Sequence, residues 1–425
     1  MTRDVRRDIL DRLVVWSDRH IAGELALDRS GAMHFTYAPD WLADRDAGPL
    51  SHALPKQAAP FDDALCRAVF GGLLPEESQR TAVARALGVS PDNPFRLLAA
   101  LGGDVAGALA FLPSGEPPPD EPVGDAAPAL GDAGLAALLD RLPGVPMLAG
   151  EGGARLSLAG AQGKLPVVLR DGAIAVPRIG EPSTHLIKPE PERFPGLAAN
   201  EAFCLALARA AGLDAAMAEW RIVAGRPYLL VSRYDRVKRD GQTIRLHQED
   251  FAQALGVPSH RKYASEGGPT FRDSFALLRA VTTRPAREVL KLADAALFNL
   301  IVGNADAHAK NFSLLRHGTG EVVLAPLYDL VATHQWPELS ARLAMRFGRA
   351  SALEDVDADS FARFAEEGGL GLPFLRRRAV ELAGRIATAI DGGLAVPGVD
   401  DPVLLGDLPG TIRDRAERLT LKVQR

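Results

Sequence analysis

Apolar residues alternate at the start of the chain, with Leu13 and Val15 before the turn-like run Ser17 to His20 and Ile21, Gly23 and Leu25 after it, a pattern that predicts a small hairpin. Helical spacing then takes over. Pro75 to Leu87 places apolar positions behind the acidic first turn of Glu76 and Glu77, and Phe95 to Leu101 reads as a short helix stopped by Gly102 and Gly103. From Pro113 to about Ala127 the segment is dense in proline, glycine and acid, a composition that packs poorly and reads as a linker. Beyond it, residues 155–188 and 221–246 are strand-rich, with turns at Arg170 to Gly172 and Arg239 to Gly241 and a helix from about Asn200 to Ala211 between them. From Gln248 onward helices dominate, among them Glu288 to Val302 and Pro373 to Ala389, interrupted by a hairpin across Phe312 to Leu324. No period of 20 to 50 residues recurs. The expected organisation is an α+β fold with an N-terminal α/β subdomain (1–112), a linker (113–129), a sheet-rich part (130–246) and a mostly helical part (247–425).

Composition narrows the class without naming an activity. A chain of 425 residues exceeds the size at which one core stops growing, so more than one packed unit is expected. Hydrophobic residues at 47% against 24% charged ones exclude a disordered or fibrous protein. A formal net charge of −5 argues against an autonomous, strongly basic nucleic-acid binder. Cys66 and Cys204 stand far apart with no CxxC pair, so two reduced, buried thiols are expected rather than a disulfide framework or a thiolate zinc site. The charged start, MTRDVRRDIL, lacks the apolar core of a signal peptide, and the most apolar stretch, Leu97 to Pro113, is broken by Gly102, Gly103 and Asp104. A cytoplasmic protein without membrane contact is the resulting expectation.

The candidate chemistry begins where the helix ending near Val302 meets Gly303. The run that follows, Asp306-Ala-His-Ala-Lys-Asn311, separates an acid from an amide by four residues. A kinase catalytic loop needs that spacing, because the carboxylate takes the hydroxyl proton while the amide oxygen reaches a magnesium ion. Taken alone, the pair reads more readily as polar loop residues capping the next element. A second carboxylate, Asp329, follows the hairpin directly behind the apolar strand VVLAPLY, which is the order in which a kinase presents its metal ligand. Asn311 and Asp329 suffice as protein ligands for Mg2+ when ATP supplies the remaining oxygens. His308 and Lys310 either neutralise phosphate charge or are solvated loop residues.

Upstream, the small-residue run SLAGAQGK lets backbone amides approach phosphate oxygens. It is not a Walker A motif, since Leu158 takes the place of the first glycine and Leu165 follows the lysine. Lys188 ends the strand-like THLIK and is either the nucleotide lysine of a kinase sheet or an edge-strand lysine in solvent. Glu201, on the following helix, either pairs with Lys188 as kinase αC glutamates do or merely favours the helix dipole.

These segments, together with LLPEESQR, LLAALGGDVAGAL, VSRYDR, HQEDFAQALG and LAMRFG, resemble the HipA family of bacterial serine/threonine kinase toxins, in family order and over nearly the whole chain. The resemblance implies a two-lobed protein-kinase-like fold with an extra N-terminal subdomain. It further implies ATP and Mg2+ as cofactors, phosphorylation of a cytosolic protein with an aminoacyl-tRNA synthetase as one such target, and a HipB-like helix-turn-helix antitoxin through which alone DNA is met. Residue by residue, it implies Asp306 as catalytic base, Asn311 and Asp329 as metal ligands, and Lys188 as the nucleotide lysine. Ala159, Gly160, Ala161, Gln162, Gly163 and Lys164 would form the phosphate loop. Ser232, Arg233 and Tyr234 would line the adenine pocket, with His308, Ala309, Lys310 and Tyr328 also near nucleotide, and Ser157 would be the autophosphorylated serine. Two positions depart from the family: Gly163 stands where glutamate is frequent, and Ser232 replaces a frequent acid.

Three other readings compete. EDFAQALGV and TAVARALGV resemble the opening of a helix-turn-helix, but the glycines and prolines that follow Gly256 and Gly88 deny a full recognition helix. The basic C-terminal helix Thr411 to Arg425 reads as a solvated surface helix more readily than as one that touches DNA inside an antitoxin complex. A catalytically impaired kinase-like scaffold that binds the antitoxin, and a small-molecule phosphotransferase, share the same residues.

Overall fold

The computed structural model describes residues 9–119, 122–123, 128–150 and 155–424. The charged start at residues 1–8, the linker positions 120–121 and 124–127, and the terminal Arg425 lie outside the described residues. The chain forms two compact units. One gathers the chain up to Ile187 with Asp235–His260 and Leu315–Gly320, and the other gathers Lys188–Tyr234, Arg261–Leu314 and the chain from Glu321 onward.

In the first unit, the expected hairpin is the centre of an antiparallel four-stranded sheet, ordered Met33–Tyr37, His20–Asp28, Ile9–Ser17, Leu109–Pro113. Alternation buries Leu13, Val15, Leu25, Leu27 and Phe35 on one face. Against them pack Phe70, Phe95 and Phe111, with Phe35 and Phe70 edge-to-face at 5.1 Å between ring centres and Phe70 and Phe111 at 5.4 Å. Each such ring withdraws enough apolar surface to contribute about 1.5 to 3 kcal/mol. Gly23 is required by close approach, since a Cβ there would lie 2.4 Å from the Thr36 carbonyl oxygen. The helices Glu77–Leu87 and Pro94–Leu101 form where the spacing predicts them. The first ends at a left-handed Gly88, and the second starts with Pro94 behind an Asn93 cap that accepts from the Arg96 amide.

Further along, Leu165–Arg170 pairs antiparallel with both Ala173–Ala175 and His185–Pro189. Of the two helix-turn-helix candidates, TAVARALGV is followed after Gly88 by an eight-residue helix, Pro94–Leu101, but that helix buries Phe95, Leu97, Leu98 and Leu101 in the core. EDFAQALGV forms no helix pair. Phe251–Ala254 is a single turn, opened by a reciprocal Asp250 and Gln253 capping box, and no recognition helix follows. The unit also buries an ionic knot. Asp104 Oδ1 accepts from Arg236 Nη2 at 2.8 Å and Arg245 Nε at 3.3 Å, and Oδ2 accepts from the Ser183 hydroxyl at 2.6 Å.

In the second unit, the helix Leu197–Ala210 packs on the antiparallel hairpin of Ala218–Val223 and Arg226–Ser232. Five further α-helices complete it among the described residues: Phe271–Val281, Pro285–Val302, Ala358–Glu367, Leu372–Asp391 and Leu408–Gln424. Pro285 at the first turn extends the helix predicted from Glu288 by three residues, and a left-handed Gly303 stops it where expected. Phe271, Phe275, Phe347 and Phe364 interlock in the core, with Phe347 and Phe364 stacked 4.0 Å apart. Cys66 and Cys204 are free and buried, and burial pushes both thiols up to about 12, so neither is a reactive thiolate.

Asp104→Ala would remove one of the two buried carboxylates on the Arg236 guanidinium, which keeps Asp235 at 2.9 Å, and would take the acceptor from the Ser183 hydroxyl. We expect it to lower stability by about 2 to 3 kcal/mol, read as a fall in the urea midpoint, whereas Arg245→Ala at the partly exposed edge of the knot changes it far less.

Candidate active site

Lys188 lies near the end of the strand His185–Pro189, and its side chain is 7% exposed. Its Nζ donates to Glu201 Oε1 at 2.7 Å and to Asp329 Oδ1 at 2.8 Å. The edge-strand reading is thereby excluded. Glu201 is the fifth residue of its helix, which starts at Leu197, so the dipole of the first turn does not account for it. Burial pulls the Lys188 ammonium toward its neutral form, but the carboxylates of Asp329 and Glu201 outweigh burial and hold its pKa above the ordinary lysine value. The strand and helix therefore present a charge that is fixed in state and in place.

Asp329 adopts a left-handed backbone, φ 55°. Asp tolerates this region better than most residues, but it still costs free energy, and surrounding structure must hold it. That turn brings the carboxylate to Lys188 while leaving the side chain 41% exposed.

The loop carrying Asp306 and Asn311 is folded by its own polar side chains. Past Gly303, Asn304 donates from Nδ2 to Asn299 Oδ1 at 2.8 Å and accepts from the Asp306 amide at 3.0 Å. The His308 amide donates to the Asp306 carbonyl at 2.8 Å, and the Asn311 amide donates to the His308 carbonyl at 2.9 Å. Asn311 Nδ2 reaches back to the Asp306 carbonyl at 3.3 Å, which turns its amide oxygen the other way. Asp306 itself is exposed, while His308, Ala309, Lys310 and Asn311 are buried. The solvated reading of His308 and Lys310 is thus removed; the His308 ring sits edge-on to Tyr263 at 5.5 Å.

Tyr328 joins this loop to the Asp329 segment. Its hydroxyl donates to the Lys310 carbonyl at 2.7 Å and lies 2.7 Å from Ser313 Oγ. The residues next in sequence to that bond are Asn311 and Asp329, so an amide oxygen and a carboxylate come from adjoining elements. Both are hard oxygen donors of the kind magnesium takes, and among the described residues no group of three His, Cys, Asp or Glu side chains offers a rival metal site. The Tyr234 ring lies 5.8 Å from that of Tyr328; the Ser232 amide N–H, at the end of its strand, donates to the Met217 carbonyl at 2.8 Å, and Arg233 between Ser232 and Tyr234 is buried.

In the first unit, the run from Ser157 to Lys164 is a curled loop. Lys164 Nζ donates to the Ala159 carbonyl at 2.7 Å, closing it on itself. Gly160, φ 119°, is the one position there whose backbone demands glycine, and a Cβ on it would lie 2.6 Å from Lys164 Nζ. Gly163 has no such need, because a Cβ there meets Gln79 only at 3.7 Å. Ala161 and Gln162 complete the tip, part-buried like their neighbours. Ser157 is fully buried, and its hydroxyl donates to the Leu73 carbonyl at 3.0 Å.

A lysine locked to a helix glutamate, an acid–amide loop and a second acid after a hairpin, on a mixed sheet-and-helix framework, belong to the kinase-like class of folds. Comparison with known proteins makes this specific. The sequence profile of the HipA N-terminal domain matches residues 13–112, and that of the HipA-like C-terminal domain matches residues 156–393. Y4mE of Sinorhizobium fredii, which carries a provisional kinase name, is 55% identical over 381 residues, 89% of this chain and 90% of that one. The serine/threonine-protein kinase toxin HipA of Shewanella oneidensis is 31% identical over 398 residues, 89% of this chain and 88% of that one. The solved complex of the Shewanella oneidensis HipA, HipB and operator DNA contains a chain that superposes with a TM-score of 0.84 at 28% identity, covering 97% of this chain and 98% of that one. The chain belongs to the HipA family, and its fold is kinase-like.

Breaking one side of the Lys188 pair should be worse than removing both. Glu201→Leu leaves a buried ammonium short of a carboxylate and is expected to cost about 3 kcal/mol. Lys188→Met combined with Glu201→Leu should be more stable than Glu201→Leu alone, and additive losses in denaturant unfolding would contradict the pairing.

Proposed function

We propose that this chain is an ATP- and magnesium-dependent serine/threonine protein kinase toxin that transfers the terminal phosphoryl group of ATP to a cytoplasmic protein. The observation carrying the proposal is the Lys188 ammonium held between Glu201 and Asp329, in the same unit as the Asp306 and Asn311 loop. Lys188 neutralises nucleotide phosphate oxygens, and Glu201 keeps it aimed. Asp306, exposed at the loop surface, accepts the proton of the acceptor hydroxyl as its oxygen bonds to the phosphoryl group and ADP leaves. The amide oxygen of Asn311 and the carboxylate of Asp329 would hold magnesium, which when bound would supply positive charge against the phosphate oxygens.

The backbone of Ala159 to Lys164 offers amides to phosphate oxygens, and Ser232, Arg233, Tyr234, His308, Ala309, Lys310 and Tyr328 line the nucleotide side. The partner is a HipB-like helix-turn-helix antitoxin; the relative's complex with HipB and operator DNA supports this, and DNA is met through that antitoxin. An aminoacyl-tRNA synthetase is the proposed class of protein substrate. The described residues contain no helix long and apolar enough to cross a membrane.

Ser157 is the proposed autophosphorylation site. Its hydroxyl is buried against the Leu73 carbonyl, so the loop must leave its packing to be modified. A phosphate of about −1.5 to −2 charge cannot return to that apolar place, so modification holds the loop out and switches the enzyme off. Two outcomes follow. With radiolabelled ATP and cell lysate, Asp306→Asn should lower label transfer to protein about 10²-fold or more, and unchanged transfer removes Asp306 from the mechanism. Mass spectrometry after incubation with ATP should find Ser157 phosphorylated, and an unmodified Ser157 beside a labelled target rules out the switch.

A further inference from the structure

The loop bearing Asp306 has no regular secondary structure between Gly303 and Ala309, yet its backbone is anchored from outside at Gly303 and at Ala305. The His334 amide donates to the Gly303 carbonyl at 3.3 Å and the Ala344 amide to the Ala305 carbonyl at 2.8 Å, and one side chain, that of Thr333, bonds to both residues. Thr333 Oγ1 accepts from the Ala305 amide at 2.9 Å and donates to the Gly303 carbonyl at 3.1 Å. A hydroxyl has one proton and lone pairs to spare, so both bonds are satisfied at once, which no apolar side chain of that size achieves. Thr333 is 8% exposed, and water does not readily replace it.

The residue before Thr333 is clamped from the opposite direction. Asn200, 2% exposed and adjacent to Glu201 on the same helix, accepts from the Ala332 amide at 2.8 Å. Its Nδ2 lies 3.4 Å from the Ala332 carbonyl oxygen and 3.3 Å from Gln335 Oε1. Thus one short strap, three residues past Asp329, is bonded at Ala332 to the helix that aims Lys188 and at Thr333 to the loop that holds Asp306.

We propose that Thr333 and Asn200 are positioning residues for phosphoryl transfer, fixing the Asp306 loop relative to the helix of Glu201 and to Asp329. The proposal rests on the kinase reading above. Neither residue touches the reacting atoms; each acts by holding backbone that carries a group which does. A misplacement of about 1 Å in such a group costs up to about 10²-fold in rate while leaving nucleotide binding in place, so the effect belongs in kcat.

The test compares four variants of the full chain in steady-state transfer from ATP, alongside thermal melting. Thr333→Val keeps the shape and removes both hydrogen bonds; kcat is expected to fall about 10- to 100-fold with KM for ATP unchanged. Thr333→Ser restores the hydroxyl and should recover most of kcat. Asn200→Ala should lower kcat as well, and combining it with Thr333→Val should lose less than the product of the two single effects, because both act on one strap. Should Thr333→Val not fold, hydrogen exchange at the Ala305 amide in Asn200→Ala supplies the second measurement, with faster exchange expected and unchanged exchange overturning the link. Wild-type kcat in Thr333→Val, or a loss that Thr333→Ser does not reverse, also overturns it. Asp306→Asn is the control. If it abolishes transfer while Thr333→Val does nothing, only this inference falls; if it leaves transfer intact, the kinase reading itself falls.

Discussion

The structure turns on a buried ammonium with two carboxylates. A lysine withdrawn from water is costly unless opposite charge travels with it, and Lys188 is accompanied by Glu201 from a helix and Asp329 from a turn. That requirement fixes three elements distant in sequence at one point to within a hydrogen-bond length. On the proposed kinase reading the same arrangement serves function, because a charge already held in place needs no reorganisation when phosphate arrives. The left-handed backbone at Asp329 is tolerated because the ion pair and the Tyr328 bond to the Lys310 carbonyl hold the chain on either side of it.

Around that point the polar side chains of the second unit bond to backbone as well as to one another. Asn304 folds the Asp306 loop from within, and Thr333 grips it from outside. Asn311 is held to the Asp306 carbonyl, and Asn200 holds the strap that Thr333 belongs to. Hydrogen bonds of this kind are modest singly but costly to leave unmade once buried, so the loop has one well-determined course despite lacking regular structure. The first unit uses the same logic differently. Asp104 satisfies two arginines and a serine in its interior, and Ser157 spends its hydroxyl on Leu73, leaving the small-residue loop next to it with only Gly160 conformationally obligatory.

Much of this was legible in the sequence where a residue's role is set by its neighbours in the chain. The Asp306 to Asn311 interval, the hairpin before Asp329 and the glycine stops at Gly88 and Gly303 are local signals, and helices such as Glu288 to Val302 follow from periodicity alone. Glu201 was legible only as one of two alternatives, since periodicity cannot say whether a helix acid faces a lysine on a strand. Asn200 and Thr333 were not legible at all. Their partners are backbone atoms as far as 132 residues away, and no spacing or composition rule marks a side chain that bonds to remote peptide groups. Asp329's positive φ was equally hidden, because turn rules look for glycine there.

The central claim is that Asn311 and Asp329 hold one magnesium ion on the nucleotide that Lys188 receives. Calorimetric titration of a non-hydrolysable ATP analogue, with and without magnesium, measures this directly in the wild type and in Asn311→Ala and Asp329→Ala. The account predicts tighter binding with magnesium in the wild type and loss of that magnesium-dependent gain in both variants. An undiminished gain in either variant would contradict it.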